Sequence, residues 1–254
     1  MGGPPQKSTL LILICFLIRG VVLKKRLKAV TPNDAPSGAR LDPETRRQQI
    51  LEAAIRYFAE VGFAGQTREL SRRIGVSQPL LYRYFPSKGE LISAVFDAVF
   101  MKKWDPQWIR DLKDRTAPLR QRLIRFYTQY AASTYRPEWI RIYMFAGLAG
   151  MGLNKNYLEF VRKQLLLVVA EELRHALVPR SLRAKAARVS AREIEMVWNL
   201  HGSMFYWAVR RNIFSVKTPT AFELRTADAV DVFLAGVAAV YPTLLERPVR
   251  SNRR

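Results

Sequence analysis

A chain of 254 residues in which 49% of side chains are hydrophobic can bury a sizeable core and is too apolar for a disordered tail. Forty-two Lys and Arg against 21 Asp and Glu leave a net charge of +21, which favours polyanions: nucleic acid first, an anionic membrane surface second. One cysteine, Cys15, excludes an internal disulfide, and with only His175 and His201 beside it no metal site is expected.

The first forty residues read as an extension and linker ahead of the working protein. The apolar run Leu10–Ile18 is too short to cross a bilayer, which needs roughly 20 residues, and Arg19, Gly20 and the basic KKRLK interrupt its continuation. A start-site artefact is the favoured expectation, with the true start at Val21, Val22 or Val30; a tether built from residues 10–23 is the alternative. Residues 31–40, TPNDAPSGAR, have the composition of a flexible linker.

Helical signals begin at DPET, 42–45. Asp42 is a good N-cap and Pro43 suits the first helical position, where its missing N–H costs nothing. Ile50, Leu51, Ala53, Ala54, Tyr57, Phe58 and Val61 then mark one helical face, and Gly62 ends it. A short helix is expected over 67–74, a turn at Gly75, and a second short helix over 78–84 capped by Ser77 and stopped by Pro86. Ser87 and Glu90 have the spacing of a capping box that opens a fourth helix.

Two short helices joined by a glycine turn form a helix-turn-helix, whose second helix enters the DNA major groove. The segment GFAGQTRELSRRIGVSQPLLYRYFPSKGEL, 62–91, with ILEAA and YFAEVGF ahead of it, resembles the DNA-binding domain of the TetR family of bacterial transcriptional regulators. Gln66 and Ser71 depart from that pattern, where Thr and Ala are usual. The resemblance implies an all-α protein: a helix-turn-helix domain over 41–104, a larger helical ligand-binding and dimerisation domain over 105–246, and a basic tail over 247–254.

It also implies the DNA-facing residues. Gln78 leads the reading helix, where its amide suits adenine, and Pro79 and Leu80 offer apolar contact. Tyr82, Arg83 and Lys88 are placed for phosphate or base edges, with Thr67 and Arg68 at the groove edge and Ser77 and Tyr84 beside them. Tyr84 is as readily read as packing.

Further amphipathic segments lie near 117–134, 137–150, 155–177, 190–213 and 227–245, with a basic loop over 178–192. On the resemblance, the last two helices dimerise through Val197, Leu200, Met204, Trp207, Val230, Phe233 and Val237; intramolecular core is the competing reading. Trp139, Tyr143, Met144, Phe145, Tyr157, Met196, Trp198 and His201 are candidates for an effector pocket, suited to an apolar or aromatic small molecule.

No paired carboxylates, Cys/His couple or glycine-rich phosphate loop stands out, so neither catalytic residues nor a cofactor is expected. The expectation is a cytoplasmic, nucleoid-associated homodimer that binds a palindromic operator in double-stranded DNA and is released by a small molecule. No stable membrane association is expected. The competing reading is a basic protein that binds DNA without sequence preference.

Overall fold

The computed structural model describes residues 42–180 and 188–246. The expectations for residues 1–41, for 181–187 and for the tail 247–254 lie outside them. The described chain is helical: α1 (Pro43–Val61), α2 (Thr67–Ile74), α3 (Gln78–Tyr84), α4 (Lys88–Phe96), α5 (Gln107–Lys113), α6 (Leu119–Thr134), α7 (Pro137–Leu148), α8 (Leu153–Val161), α9 (Leu167–Leu177), α10 (Ala191–Asn212) and α11 (Phe222–Glu246). It contains no β-strand among the described residues.

Local chemistry accounts for the N-terminal boundaries. The Asp42 carboxylate accepts from the Thr45 N–H at 3.1 Å, Ser77 Oγ from Leu80 N–H at 3.3 Å, and Ser87 Oγ from Glu90 N–H at 3.1 Å. Among the described residues the reciprocal capping box is found at Ser190 and Glu193, while at Ser87 only the serine half is present. At Gln66, where a hydroxyl cap is missing, α2 starts without a side-chain bond.

Differences from the expected elements lie mainly beyond residue 96. Helix α4 runs on through a π turn, Asp97–Met101, and a second π turn, Arg162–Leu166, joins α8 to α9. Helix α5 was not expected, and α11 starts at Phe222, five residues before the expected 227. A 25-residue helix from that point accommodates Pro242, close to its end.

One continuous apolar core links the helices on both sides of the proposed boundary at residue 104. It includes Phe58, Leu70, Leu81 and Phe85 near the turn, then Phe100, Phe126, Tyr130, Leu165, Val197 and Val230. The fully buried charged groups among the described residues are paired. The Glu172 carboxylate accepts from Arg115 Nη2 at 2.7 Å and from Arg122 Nη1 at 2.8 Å, and Arg122 also donates to the carbonyls of Ala117 and Leu112. Glu193 accepts from Arg174 at 2.5 and 2.6 Å and from the Tyr241 hydroxyl at 2.6 Å. Burial raises the pKa of both carboxyls, but their hydrogen-bonded partners outweigh it: Glu172 is held below the ordinary range and Glu193 at about 2.

Removing one partner of such a buried pair strands the other. The Arg122 and Glu172 side chains are 5% and 4% exposed, so Glu172→Leu leaves a guanidinium buried without its counter-charge. The expected loss is about 3–5 kcal/mol of unfolding free energy, measured by urea denaturation.

Candidate nucleic-acid interface

The α2–α3 turn is built around Gly75 in the left-handed region, φ 67 and ψ 29, with Val76 N–H donating back to the Ser71 carbonyl at 3.1 Å. A Cβ there would touch nothing within 4 Å, so glycine is favoured by backbone conformation and not by space. Leu70 and Leu81, one on each helix, are both fully buried and hold the two helices together.

This packing turns most of the expected DNA-facing residues outward. Arg68, Ser77, Pro79 and Arg83 are exposed, and Gln78, Leu80, Tyr82, Tyr84 and Lys88 are half-buried. Tyr82 and Tyr84 rest against the core. Thr67 differs: it is buried, so it is not a free groove-edge contact. Its hydroxyl lies 2.8 Å from the Tyr82 hydroxyl and accepts from Gln78 Nε2 at 3.3 Å. The Tyr82 hydroxyl expected at a phosphate, and the Gln78 amide expected at a base, are thus both held from below by one threonine.

The charges divide in the same way. Arg72 and Arg73 are tied to Glu69 at 2.8 and 3.0 Å, and Arg73 also reaches Glu60 at 2.7 Å. These guanidiniums hold the Glu69 carboxyl at about 2. Arg68, Arg83 and Lys88 have no ion pair among the described residues, which leaves three cations on the reading face. Sequence reasoning missed Arg47 of α1, whose guanidinium lies 4.8 Å from the Phe85 ring centroid beside the end of α3.

The expected effector residues are brought together in part. Trp139 and Tyr143 stack at 5.3 Å, Tyr157 sits 5.7 Å from Trp139, and Trp198 sits 5.4 Å from His201. The two groups are joined by Tyr130 and Tyr135, which sequence reasoning did not select. Met144 and Met196 are half-buried against the core. Phe145 belongs elsewhere: its ring faces the backbone of Gly62 at the end of α1. Within the cluster the hydroxyls of Tyr127 and Tyr135, Trp139 Nε1 and His201 Nδ1 are buried with no hydrogen-bond partner among the described residues.

The expected dimer stripe lies mostly within the chain's own core. Val197, Leu200, Met204, Trp207, Val230 and Val237 are buried by their own chain, and Phe233 packs partly against the same core. A surface already covered cannot be covered again by a partner. Exposed apolar positions of α11 include Val232, Ala235, Gly236, Ala239 and Val240, one stripe at helical spacing, with Val232 74% exposed. On α10 the exposed apolar position is Tyr206.

Two measurements follow from this geometry. Ser71 is 3% exposed and its hydroxyl has no partner, so Ser71→Ala should raise stability by about 1 kcal/mol in chemical denaturation. Burial pulls His201 from its ordinary 6.5 down to about 4. The unfolded chain therefore binds a proton in that window which the folded chain refuses, and stability falls as pH drops through it. Melting temperature should decline from about pH 7 to about pH 5 in the parent and decline less in His201→Leu.

Comparison with known proteins is consistent with this arrangement. Residues 50–95 match the model of the bacterial regulatory proteins of the tetR family. Over 59 residues the chain is 46% identical to the HTH-type transcriptional activator FasR of Mycolicibacterium smegmatis, covering 23% of this chain and 27% of that protein. Over 89 residues it is 29% identical to the tetracycline repressor protein class C of Escherichia coli, covering 32% and 41%. The chain thus spans well under half the length of these curated relatives. A tetR-family transcriptional regulator from Streptomyces coelicolor superposes with a TM-score of 0.56 at 20% identity, over 81% of this chain and 87% of that one, a likeness of fold.

Proposed function

From the match of residues 50–95 to the tetR-family model, and from a fold like that of a tetR-family regulator, we propose that the chain is a DNA-binding transcriptional regulator. It acts as a homodimeric repressor in the cytoplasm, released from a palindromic operator by a small molecule. The observation that carries the reading is the outer face of the helix-turn-helix. Exposed Pro79 and Arg83 and half-buried Gln78 project from α3, with Arg68 and Lys88 unpaired on either side. Arg83 and Lys88 supply phosphate or guanine contacts, and Gln78 exchanges its bond to Thr67 for one to a base edge.

Seven residues of α3 read too few base pairs for a unique site, which favours two copies on a palindrome. The stripe Val232, Ala235, Gly236, Ala239 and Val240 suits that pairing, because small side chains let two helices approach closely. The buried aromatic cluster suits the effector. A flat, uncharged molecule with polar groups would meet aromatic faces and supply partners to Tyr127, Tyr135, Trp139 and His201. Binding there releases DNA only if it favours a spacing of the two reading helices that no longer fits adjacent grooves. The tetracycline repressor among the relatives favours repression, whereas FasR is an activator.

Operator-binding titrations test the interface. Arg83→Ala should weaken affinity by about 1–3 kcal/mol, and if its contact is a phosphate the salt slope should fall by roughly one. Gln78→Ala should change the ranking of operator sequences, while a uniform loss for all sequences would point to non-specific binding. Tyr82→Phe also removes the bond to Thr67, so its melting temperature has to be measured beside its affinity.

A further inference from the structure

Among the described residues some arginines are held by carboxylates and others are not. Arg115, Arg122 and Arg174 each meet a carboxylate. Arg210 and Arg225 do not. Arg225 Nη2 donates to the Ser203 carbonyl at 2.8 Å and Nη1 to Met204 Sδ at 3.1 Å, both uncharged acceptors. The Arg210 guanidinium lies 5.6 Å from the Tyr206 ring centroid, and its Nε is buried without a partner. The two cations are close enough that, after burial, Arg210 is the next cause depressing the Arg225 pKa. Like charges brought together without a counter-ion destabilise the fold that holds them.

They share one cleft. Arg210 and Arg225 line a recess of about 180 Å³ with Trp207, Lys217, Thr218 and Thr220. The loop that carries Lys217 and both threonines is fixed to the end of α10 by three backbone bonds. Ile213 and Phe214 donate to the Val209 carbonyl at 2.9 and 3.3 Å, and Val216 donates to the Arg210 carbonyl at 2.9 Å. Those bonds occupy carbonyls at the helix end that would otherwise oppose an anion. Ser215 reverses the loop at φ 55. Three cationic side chains and two threonines thus line a space well below the roughly 300 Å³ of a drug-sized pocket.

We propose that this cleft is a binding site for a small oxyanion, a phosphate or a short carboxylate, held by Arg210, Arg225 and Lys217 at the loop between α10 and α11. The site is separate from the reading face and from the aromatic cluster, and it does not depend on the proposed regulation. Fork-shaped guanidinium donors match both oxyanions, and the Trp207 ring offers a wall for a flat apolar group attached to a carboxylate.

The test uses the full chain in buffers of equal ionic strength containing chloride, inorganic phosphate, acetate or benzoate. Melting temperature and calorimetric binding are followed for the parent, Arg225→Gln and Arg210→Gln. Phosphate, or one of the carboxylates, should raise the parent's melting temperature above its value in chloride, and which of them does so identifies the source. Arg225→Gln should weaken that binding roughly tenfold or more. Arg210→Gln should lose the anion effect while melting in chloride no lower than the parent, because removing one cation relieves the repulsion. Arg83→Ala combined with Lys88→Ala should keep the anion effect in full, which separates this site from the DNA face. No anion-specific rise in the parent, or an undiminished rise in Arg225→Gln, would overturn the proposal. So would dissociation of an otherwise folded dimer on Arg210→Gln, which would show that a second copy's carboxylate neutralises the pair.

Discussion

The end of α1 is closed from another helix, and the placement of the reading face depends on that closure. A helix leaves its last carbonyls without partners. Here Gly62 N–H takes the Phe58 carbonyl at 2.9 Å, and the Arg141 guanidinium of α7 donates to the carbonyls of Ala59 and Glu60. Gly62 itself, at φ 75 and ψ −178, is turned so that a Cβ would lie 3.0 Å from the Phe145 ring. Arg141 and Phe145 thus fasten the end of α1 to α7 within one turn of chain. Helix α7 also carries Trp139 and Tyr143 on the side of the aromatic cluster. A displacement of α7 by a molecule bound among those rings would therefore be felt at Ala59 and Gly62 without a long chain of intermediates.

Charge is sorted by the same economy. The +21 excess does not produce one uniform basic surface. Glu172 neutralises the buried Arg122, Glu193 the partly buried Arg174, and Glu69 holds back the two arginines that end α2. Unpaired cations remain on the reading face, at Arg68, Arg83 and Lys88, and again at Arg210 and Arg225. The first set is exposed, so water solvates it and a phosphate can replace that water at little cost. The second set is partly withdrawn from water, which makes the absence of a counter-charge far more costly there.

Legibility in the sequence followed the range of the interaction that decides each feature. Asp42, Ser77 and Ser87 cap their helices through bonds three residues long, and Gly75 turns the chain by its own backbone freedom, so a short window contains the cause. The outward face of α3 was legible for the same reason, since Leu81 points inward and Arg83 therefore does not. Thr67 was misplaced because its role is set by Tyr82, fifteen positions away. The dimer stripe stayed between interface and core for a related reason. Val197, Met204 and Val230 show helical spacing in either case, and only packing against α6 and the neighbouring helices decides that their own chain covers them. The exposed stripe of α11 is made of Ala and Gly between valines, residues with too little apolar signal to draw notice.

The aromatic cluster shows why a pocket is harder to read than a groove-facing helix. Tyr130, fully buried, spends its hydroxyl on Tyr157 at 2.6 Å and touches Tyr135 and His201 with its ring. Such a residue is core by periodicity, and its polar contacts across the cluster are invisible to it. The members of the cluster differ in the state of their polar atoms: Tyr127, Tyr135, Trp139 and His201 each bury one without a partner among the described residues, whereas Tyr130 and Tyr157 satisfy each other. An interior selected for packing alone would have replaced at least some of those four groups by apolar rings of similar volume, at a gain of order 1 kcal/mol each. Under the proposed reading, these four groups around one histidine held neutral by burial are the ones a bound effector would have to satisfy.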